Sequence, residues 1–359
     1  MAGAFGLYTH ITANRRRSVV LIAGLFGLVY LMIFAGALAF EAFAGGPSLN
    51  VLAARAWQDT VAALPIATIG TGLWVAIAYK GHQWMIDAMT DSHGLSRTEA
   101  PALYNLLENL CISRGLPMPK LKVMETGVLN AFASGMNENQ YTVTVTRGLI
   151  EALNEAELEA VLAHELTHIR NGDVRLMIIA VVIAGVVSFI AEILYRWLAY
   201  GPRVRYADEA GDGTRRAGPA GAALVLAGVI VAVAWILSGI LRFALSRSRE
   251  YLADAGAVEL TKNPDAMISA LMKISGRAEI PGAPSGIMEL CIENAHSGFV
   301  DLFATHPAIE DRIEALVRHA GGQRPAEPPS VAPSFTGDAV VMLDKRLAPW
   351  GPRPPEASR

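Results

Sequence analysis

The chain has 359 residues, of which 52% are hydrophobic and only 18% charged, a charge content lean for a water-soluble protein and one that points to the membrane class. A net charge of −3, with no lysine or arginine cluster interleaved with aromatics, argues against nucleic acid as a partner. Cys111 and Cys291 lack C-x-x-C spacing, which indicates neither a disulfide framework nor a cysteine-held metal; both are expected to be buried small hydrophobes.

Arg15, Arg16 and Arg17 precede an apolar run from Ser18 to about Phe40, long enough at 1.5 Å per residue to cross a ~30 Å hydrocarbon core. A cleaved signal peptide is the rival reading, but its apolar core would run only about 7–15 residues. A second span is expected from about Thr60 to Tyr79, with Pro65 tolerated inside it. Arg15 to Arg17 before the first span and Lys80 after the second outweigh the single Arg55 between them. By the positive-inside rule the N-terminus and the region after Lys80 are cytoplasmic.

Residues 81–173 are mixed in composition and read as a soluble domain. Ser96 and Glu99 form a capping box for a helix through about Arg114, stopped by Gly115, with Leu103, Leu106, Leu107 and Leu110 inside. Strands are expected at Lys120–Met124 and Tyr141–Thr146, the latter alternating threonine and valine. The intervening Leu129–Gly135 segment reads as a loop or a short edge strand.

Asn154 with Glu157 marks the start of the next helix, and Gly172 its end. Leu158, Leu162, Leu166 and Ile169 give it an apolar stripe, nearly opposite His164 and His168. Those histidines belong to an H-E-x-x-H run. Four residues apart on a helix, their imidazoles project from one face about one turn apart, a spacing that suits two ligands of one tetrahedral zinc ion. Glu165 lies beside the same vertex, where a carboxylate can take and return a proton. The motif lacks a third ligand. Downstream, Glu250 and Asp254 again stand four apart on an expected helix. Glu250 is the candidate third ligand, and Asp254 the acceptor for the far ring nitrogen of a ligand histidine. Taken alone, such a pair is more often a solvated acidic face, here matched by Arg247 and Arg249.

Val174 to about Trp197 and Gly218 to about Leu245 form a third and a fourth apolar run. His164 and Glu250 can share a metal only if the chain between them crosses the membrane an even number of times, and two spans meet that condition. His168 lies six residues before the third run, about 9 Å if the helix continues, which favours substrates embedded in or extruded from the membrane. The connecting loop runs against this orientation. It carries Arg203, Arg205, Arg215 and Arg216 where a non-cytoplasmic loop should be poor in arginine. Asn263-Pro264-Asp265 opens a helix through about Ile274, with proline at its first position. Phe303-Ala-Thr-His306-Pro307 precedes a helix bearing Ile309, Ile313 and Leu316, and His306 reads as its cap. From Gly321 onward proline is dense and periodicity disappears, as in a disordered tail.

The HELTH of residues 164–168, the SREYLAD of residues 248–254 and their placement around a membrane hairpin resemble the HtpX family. Those are integral-membrane zinc metalloproteases of the gluzincin type, related to the CaaX prenyl proteases. The likeness runs from about residue 15 to about residue 320. It implies His164, His168 and Glu250 as ligands of one zinc ion per chain and Glu165 as general base. It also implies an edge strand at Asn130, Ala131, Phe132 and Ala133 that pairs with an extended peptide, and an oxyanion contact for His306. The substrates implied are misfolded or damaged membrane proteins, at a bacterial inner membrane with the catalytic domain cytoplasmic. The expected fold class is α+β, mainly helical, a zincin-like metallopeptidase domain attached to four transmembrane helices. Its parts are residues 1–80 with two spans, 81–173 with the H-E-x-x-H helix, a hairpin of 174–245, 246–320 with the third ligand, and a Pro-rich tail of 321–359. The rival from another class is a non-catalytic membrane scaffold with a structural zinc, which would close the fourth position with a protein ligand; the intact Glu165 argues against it. A transporter is a weaker rival, since charges are nearly absent from the centres of the apolar runs. The sequence does not give the oligomeric state.

Overall fold

Four helices carry most of the apolar sequence in the computed structural model, which describes residues 7–200, 218–243, 247–278, 288, 291–292 and 307–325. In chain order the helices are α1 (Leu7–Ala44), α2 (Leu49–Thr90), α3 (Pro101–Arg114), α4 (Arg147–Ala152), α5 (Glu155–Asn171), α6 (Asp173–Tyr200), α7 (Pro219–Phe243), α8 (Arg247–Thr261), α9 (Pro264–Ile274) and α10 (Ile309–Ala320). The strands are β1 (Ser92–Gly94), β2 (Lys120–Met124), β3 (Ala131–Ser134) and β4 (Thr142–Thr146). The chain divides into two units: Arg15–Gly81 with Ile178–Ala244, and Met1–Asn14 with His82–Met177 and Leu245–Arg359.

The first unit is helical. Stretches at Arg16–Ala44, Leu49–Thr90, Asp173–Arg196 and Pro219–Ser238 are each long and apolar enough to cross a membrane, with mean hydropathies of 2.5, 1.9, 2.7 and 2.6. Ala35, Leu38, Ala39 and Ala42 of α1 pack against Leu52 and Ala56 of α2 and Ala223 and Ala227 of α7. Small residues at these contacts let helix backbones approach closely, as bundles in lipid require. Ile66, Ile69, Leu73 and Trp235 are more than half exposed. Leaving such side chains in water forfeits roughly 1.5–3 kcal/mol each, whereas hydrocarbon costs them nothing.

The second expected span, about Thr60 to Tyr79, is the middle of a longer helix. No cap or proline follows Tyr79, so α2 continues through Gly81 and ends only where Asp91 turns to φ 48°. Its last turns belong to the second unit, where Ser134 Oγ donates to Gln83 Oε1 at 2.8 Å and Lys122 pairs with Asp87.

The second unit is built on a four-stranded sheet in the order β1-β2-β4-β3. β2 and β4 run parallel, and β1 and β3 flank them antiparallel. β3 is thus an edge strand, in register Ala131↔Val145 through Ser134↔Thr142. The Ser96–Glu99 pairing forms, with Glu99 Oε2 accepting from Ser96 N and Oγ at 2.7 and 2.6 Å, yet it closes a turn and does not start the helix. Pro101 decides the start. A residue before proline is kept out of the helical region, and Ala100 sits at φ −140°, ψ 70°, with Pro101 at the first helical position.

α5 lies at the centre of this unit, packed by β3, α3, α8 and α9. Its N-terminus is clamped to α9 by a buried pair in which Lys273 Nζ donates to Glu157 Oε2 at 2.7 Å, while Ser269 Oγ donates to Glu157 Oε1 at 2.5 Å. Order also extends past Gly321, where disorder was expected to begin. Gly321 caps α10 at φ 72°, and Gln323 N donates to Asp265 Oδ1 at 2.7 Å, holding the chain on the start of α9. The loop at 201–217, His306 and the tail beyond Pro325 lie outside the described residues.

Candidate metal centre

Local sequence sets both ends of α5. Asn154 Oδ1 accepts from Glu157 N at 2.9 Å and Glu157 Oε2 accepts from Asn154 N at 2.8 Å, the reciprocal capping box the sequence predicts. Gly172 closes the helix at φ 73°, a left-handed position that favours glycine. The chain restarts at once as α6. On a continued helix Asp173 would stand about 140° round from His168; the break at Gly172 brings its carboxylate back, with Oδ2 3.1 Å from His168 Nδ1.

The second ligand-bearing helix comes close for a steric reason. A Cβ on Gly256 of α8 would fall 2.7 Å from Thr167 Oγ1 of α5, so only glycine permits this approach. Glu250 and Asp254, one turn apart on α8, thereby reach the histidines. His164 Nε2 and His168 Nε2 stand 3.1 Å apart, and the Glu250 oxygens lie 3.5 Å from the first and 3.6 Å from the second. Asp254 Oδ1 lies 3.0 Å from His164 Nδ1.

These distances fit a bound cation. Tetrahedral coordination at 2.0–2.1 Å gives donor–donor edges of about 3.4 Å; here the two Nε2 atoms stand 3.1 Å apart and Glu250 turns one oxygen to each, Oε2 to His164 at 3.5 Å and Oε1 to His168 at 3.6 Å. The tautomers agree as well. An ionised carboxylate can only accept, so Asp173 places the His168 proton on Nδ1; Asp254 Oδ1 faces His164 Nδ1, and the two Nε2 atoms face one another. A proton shared between them, or a metal ion in its place, relieves this facing pair. Among the described residues, His164, His168 and Glu250 form the one such donor group.

Charge balance points the same way. Glu165, Glu250, Asp254 and Asp173 are all buried here, and among the described residues the buried guanidiniums are Arg249, next to Glu250 in sequence, and Arg312. Arg312 grips Asp254 with two prongs, Nε at 2.8 Å and a terminal nitrogen at 2.6 Å, and its other terminal nitrogen lies 3.6 Å from Glu250 Oε2. Burial alone would raise the Asp254 carboxyl, but Arg312 and His164 hold it below its ordinary range. Burial would likewise lower both imidazoles. Asp254 and Glu250 instead raise His164, and Glu250 and Asp173 raise His168 to about 10. The pocket draws positive charge, which a divalent cation supplies. Glu165 is pushed up chiefly by burial and accepts a backbone hydrogen bond from Ala133.

Asn130, Ala131, Phe132 and Ala133 lie along the sheet edge and are all buried. The outer side of this edge carries a piece of the chain that the sequence did not place there. Ile292 N donates to Ala131 O at 3.0 Å and to Asn130 Oδ1 at 3.1 Å, Cys291 bridges Phe132, and Arg312 donates to Ile292 O at 2.9 Å. Asn130 Nδ2 donates in turn to Ala278 O at 2.7 Å. Ala133, Glu165, His168, Glu250, Val174, Met177, Cys291 and Ile292 line a small cavity of about 10 Å³. Cys291 is buried as expected, its thiol pushed up by burial and by Glu165. Asp173 and Arg312 are the members that sequence reasoning missed.

Two imidazoles from an H-E-x-x-H helix, a carboxylate from a second helix and an adjacent glutamate, on a chain with four membrane-length helices, define a class: the membrane metalloproteases. Residues 97–320 match the model of Peptidase family M48. A "Protease HtpX homolog" of Bacteroides fragilis is 45% identical over 261 residues, 70% of this chain and 79% of that protein. One of Listeria monocytogenes serotype 4a is 33% identical over 316 residues, 86% of this chain and 99% of that protein. The crystal structure of S. mikatae Ste24p overlaps 72% of this chain and 65% of its own at 18% identity and a TM-score of 0.36, too loosely to carry an argument. The chain belongs to peptidase family M48, with the HtpX-type membrane metalloproteases.

Proposed function

We propose that the chain is a zinc endopeptidase in which His164, His168 and Glu250 hold one Zn2+ per chain and Glu165 is the general base. The observation that carries this is the meeting of two imidazole Nε2 atoms and the Glu250 carboxylate, with nearest approaches of 3.1, 3.5 and 3.6 Å, and with Glu165 in the same buried cavity. When bound, the ion supplies Lewis acidity to the scissile carbonyl and the attacking water. Glu165 accepts the proton of that water and hands it to the leaving amine. Asp173 fixes the His168 tautomer, Asp254 faces His164 Nδ1, and Arg312 keeps Asp254 ionised. By family resemblance a peptide pairs with the edge formed by Asn130, Ala131, Phe132 and Ala133, which requires Cys291 and Ile292 to leave the outer side of that edge. By family resemblance His306 steadies the oxyanion.

The domain division follows the motifs: a catalytic domain of residues 81–173 and 246–320, interrupted by the 174–245 hairpin, preceded by residues 1–80 and followed by the 321–359 tail. Arg15 to Arg17 and Lys80 support a cytoplasmic catalytic domain at a bacterial inner membrane. The resemblance to HtpX proteases and the four apolar helices support quality control of misfolded or damaged membrane proteins as the role.

Glu165→Gln, purified in detergent, tests the reading. Metal content should match the unsubstituted chain while casein cleavage disappears. Lost metal would put Glu165 among the ligands, and retained cleavage would remove it as the base.

A further inference from the structure

The two carboxylates that face the imidazoles are supported from different sides. Asp254 is held by Arg312. Asp173, fully buried, spends Oδ2 on His168 Nδ1, and its Oδ1 accepts from Asn14 Nδ2 at 2.7 Å. The same amide nitrogen donates to Asn171 O at 3.1 Å. Both hydrogens of one side-chain amide thus point at the break between α5 and α6. Asn14 comes from α1, 157 and 159 residues away in sequence, and is only 1% exposed. A buried amide is costly unless bonded, and here both its donor sites are spent on this turn.

We infer that Asn14 is a positioning residue of the metal centre, acting through Asp173 on His168. A carboxylate fixed at one oxygen presents the other in a set direction. With Oδ1 released, the Asp173 carboxylate is free to swing, and the His168 ring loses the acceptor that fixes its Nδ1 proton and aims its Nε2 lone pair. The N-terminal segment therefore completes the ligand sphere, although it contributes no ligand. Asn14 directly precedes Arg15, and the membrane-length stretch of the same helix begins at Arg16. The inference rests on the metal role proposed for His168.

The test uses the full chain in detergent with Asn14→Ala, Asn14→Leu, Asp173→Ala and the Asn14→Ala/Asp173→Ala double variant. Zn2+ affinity is read by competition with a chromophoric chelator, and the ligand field by the visible absorption of the Co2+-substituted protein. Asn14→Ala should weaken Zn2+ binding roughly 10–100-fold and shift the Co2+ spectrum, while thermal melting of the metal-free protein moves little. Asn14→Leu fills the space without a donor and should lose as much as alanine; a packing role alone predicts that leucine restores affinity. On the Asp173→Ala background the Asn14→Ala change should cost nothing further. Unchanged affinity and spectrum in Asn14→Ala, recovery by leucine, or an undiminished loss in the double variant each overturn the role. An unsubstituted chain that takes up no Zn2+ would overturn the metal reading itself, a result distinct from these.

Discussion

Replacing Gly256 with alanine asks whether the close packing of α8 on α5 sets the metal geometry. A Cβ at that position meets Thr167 Oγ1 at 2.7 Å and Thr167 Cγ2 closer still, against roughly 3.5–4.0 Å for an unstrained contact. The helices must part by on the order of 1 Å, whereas ligand positions tolerate errors of only about 0.2 Å. Overpacking of this kind costs about 1–3 kcal/mol. If the strain is relieved by displacing Glu250, Zn2+ binding weakens roughly 5- to 150-fold, at 1.4 kcal/mol per decade, and a shift of this size can lower kcat/KM about 100-fold. The assay pairs chelator competition with cleavage of a fluorogenic peptide. The control is Thr167→Ala, which removes Oγ1 and Cγ2 and leaves Cβ at 3.1 Å from the new methyl; it gives up the Thr167 Oγ1 to Ala163 O bond of 2.8 Å, a loss of about 1 kcal/mol. Gly256→Ala combined with Thr167→Ala should recover most of the lost affinity. Wild-type binding and cleavage in Gly256→Ala, or a double variant no better than the single one, would show that helix spacing does not govern the site.

Arg312→Met strips the guanidinium from a buried carboxylate and should destabilise the chain by about 3–5 kcal/mol, read by thermal melting; Arg312→Lys should recover little, because one ammonium cannot replace the two-pronged grip on Asp254. A lysine variant as stable as the parent would refute the bidentate account. Asp254→Asn keeps the side-chain shape but removes the charge facing His164, and should weaken Zn2+ binding roughly 10–100-fold; unchanged affinity would separate Asp254 from the ring. Dialysis against 1,10-phenanthroline should abolish casein cleavage, and Zn2+ at one equivalent per chain should restore it. Cleavage that persists in protein shown to be metal-free would end the metalloprotease mechanism for this chain.

What the sequence made legible is what lies within a few turns of helix. Asn154, Glu157 and Gly172 fix α5 through bonds between near neighbours, and four-residue spacing puts His164 with His168, and Glu250 with Asp254, on common faces. Even there a local signal lost to a stronger one, as when Pro101 set the start of α3 and left Ser96 and Glu99 closing a turn. The partners that complete the site are joined through space. Asp173 depends on a helix break, Arg312 lies 58 residues from Asp254, and Asn14 lies 159 from Asp173. Gly256 marks no turn, and Cys291 gives no sign from its own residue type that it lies on the β3 edge. One of these nevertheless left a trace. Ile309, Arg312, Ile313 and Leu316 follow the i, i+3, i+4, i+7 spacing of a buried helix face, so an arginine stands where an apolar residue is expected. Lys273 interrupts the buried face of α9 in the same way and meets Glu157. A buried cation requires a buried anion, and a metal motif already supplies more carboxylates than its histidines can balance. A basic residue set into an apolar helix stripe is therefore a sequence signal for a buried carboxylate, which is Asp254 of the metal centre for Arg312 and Glu157 at the start of α5 for Lys273.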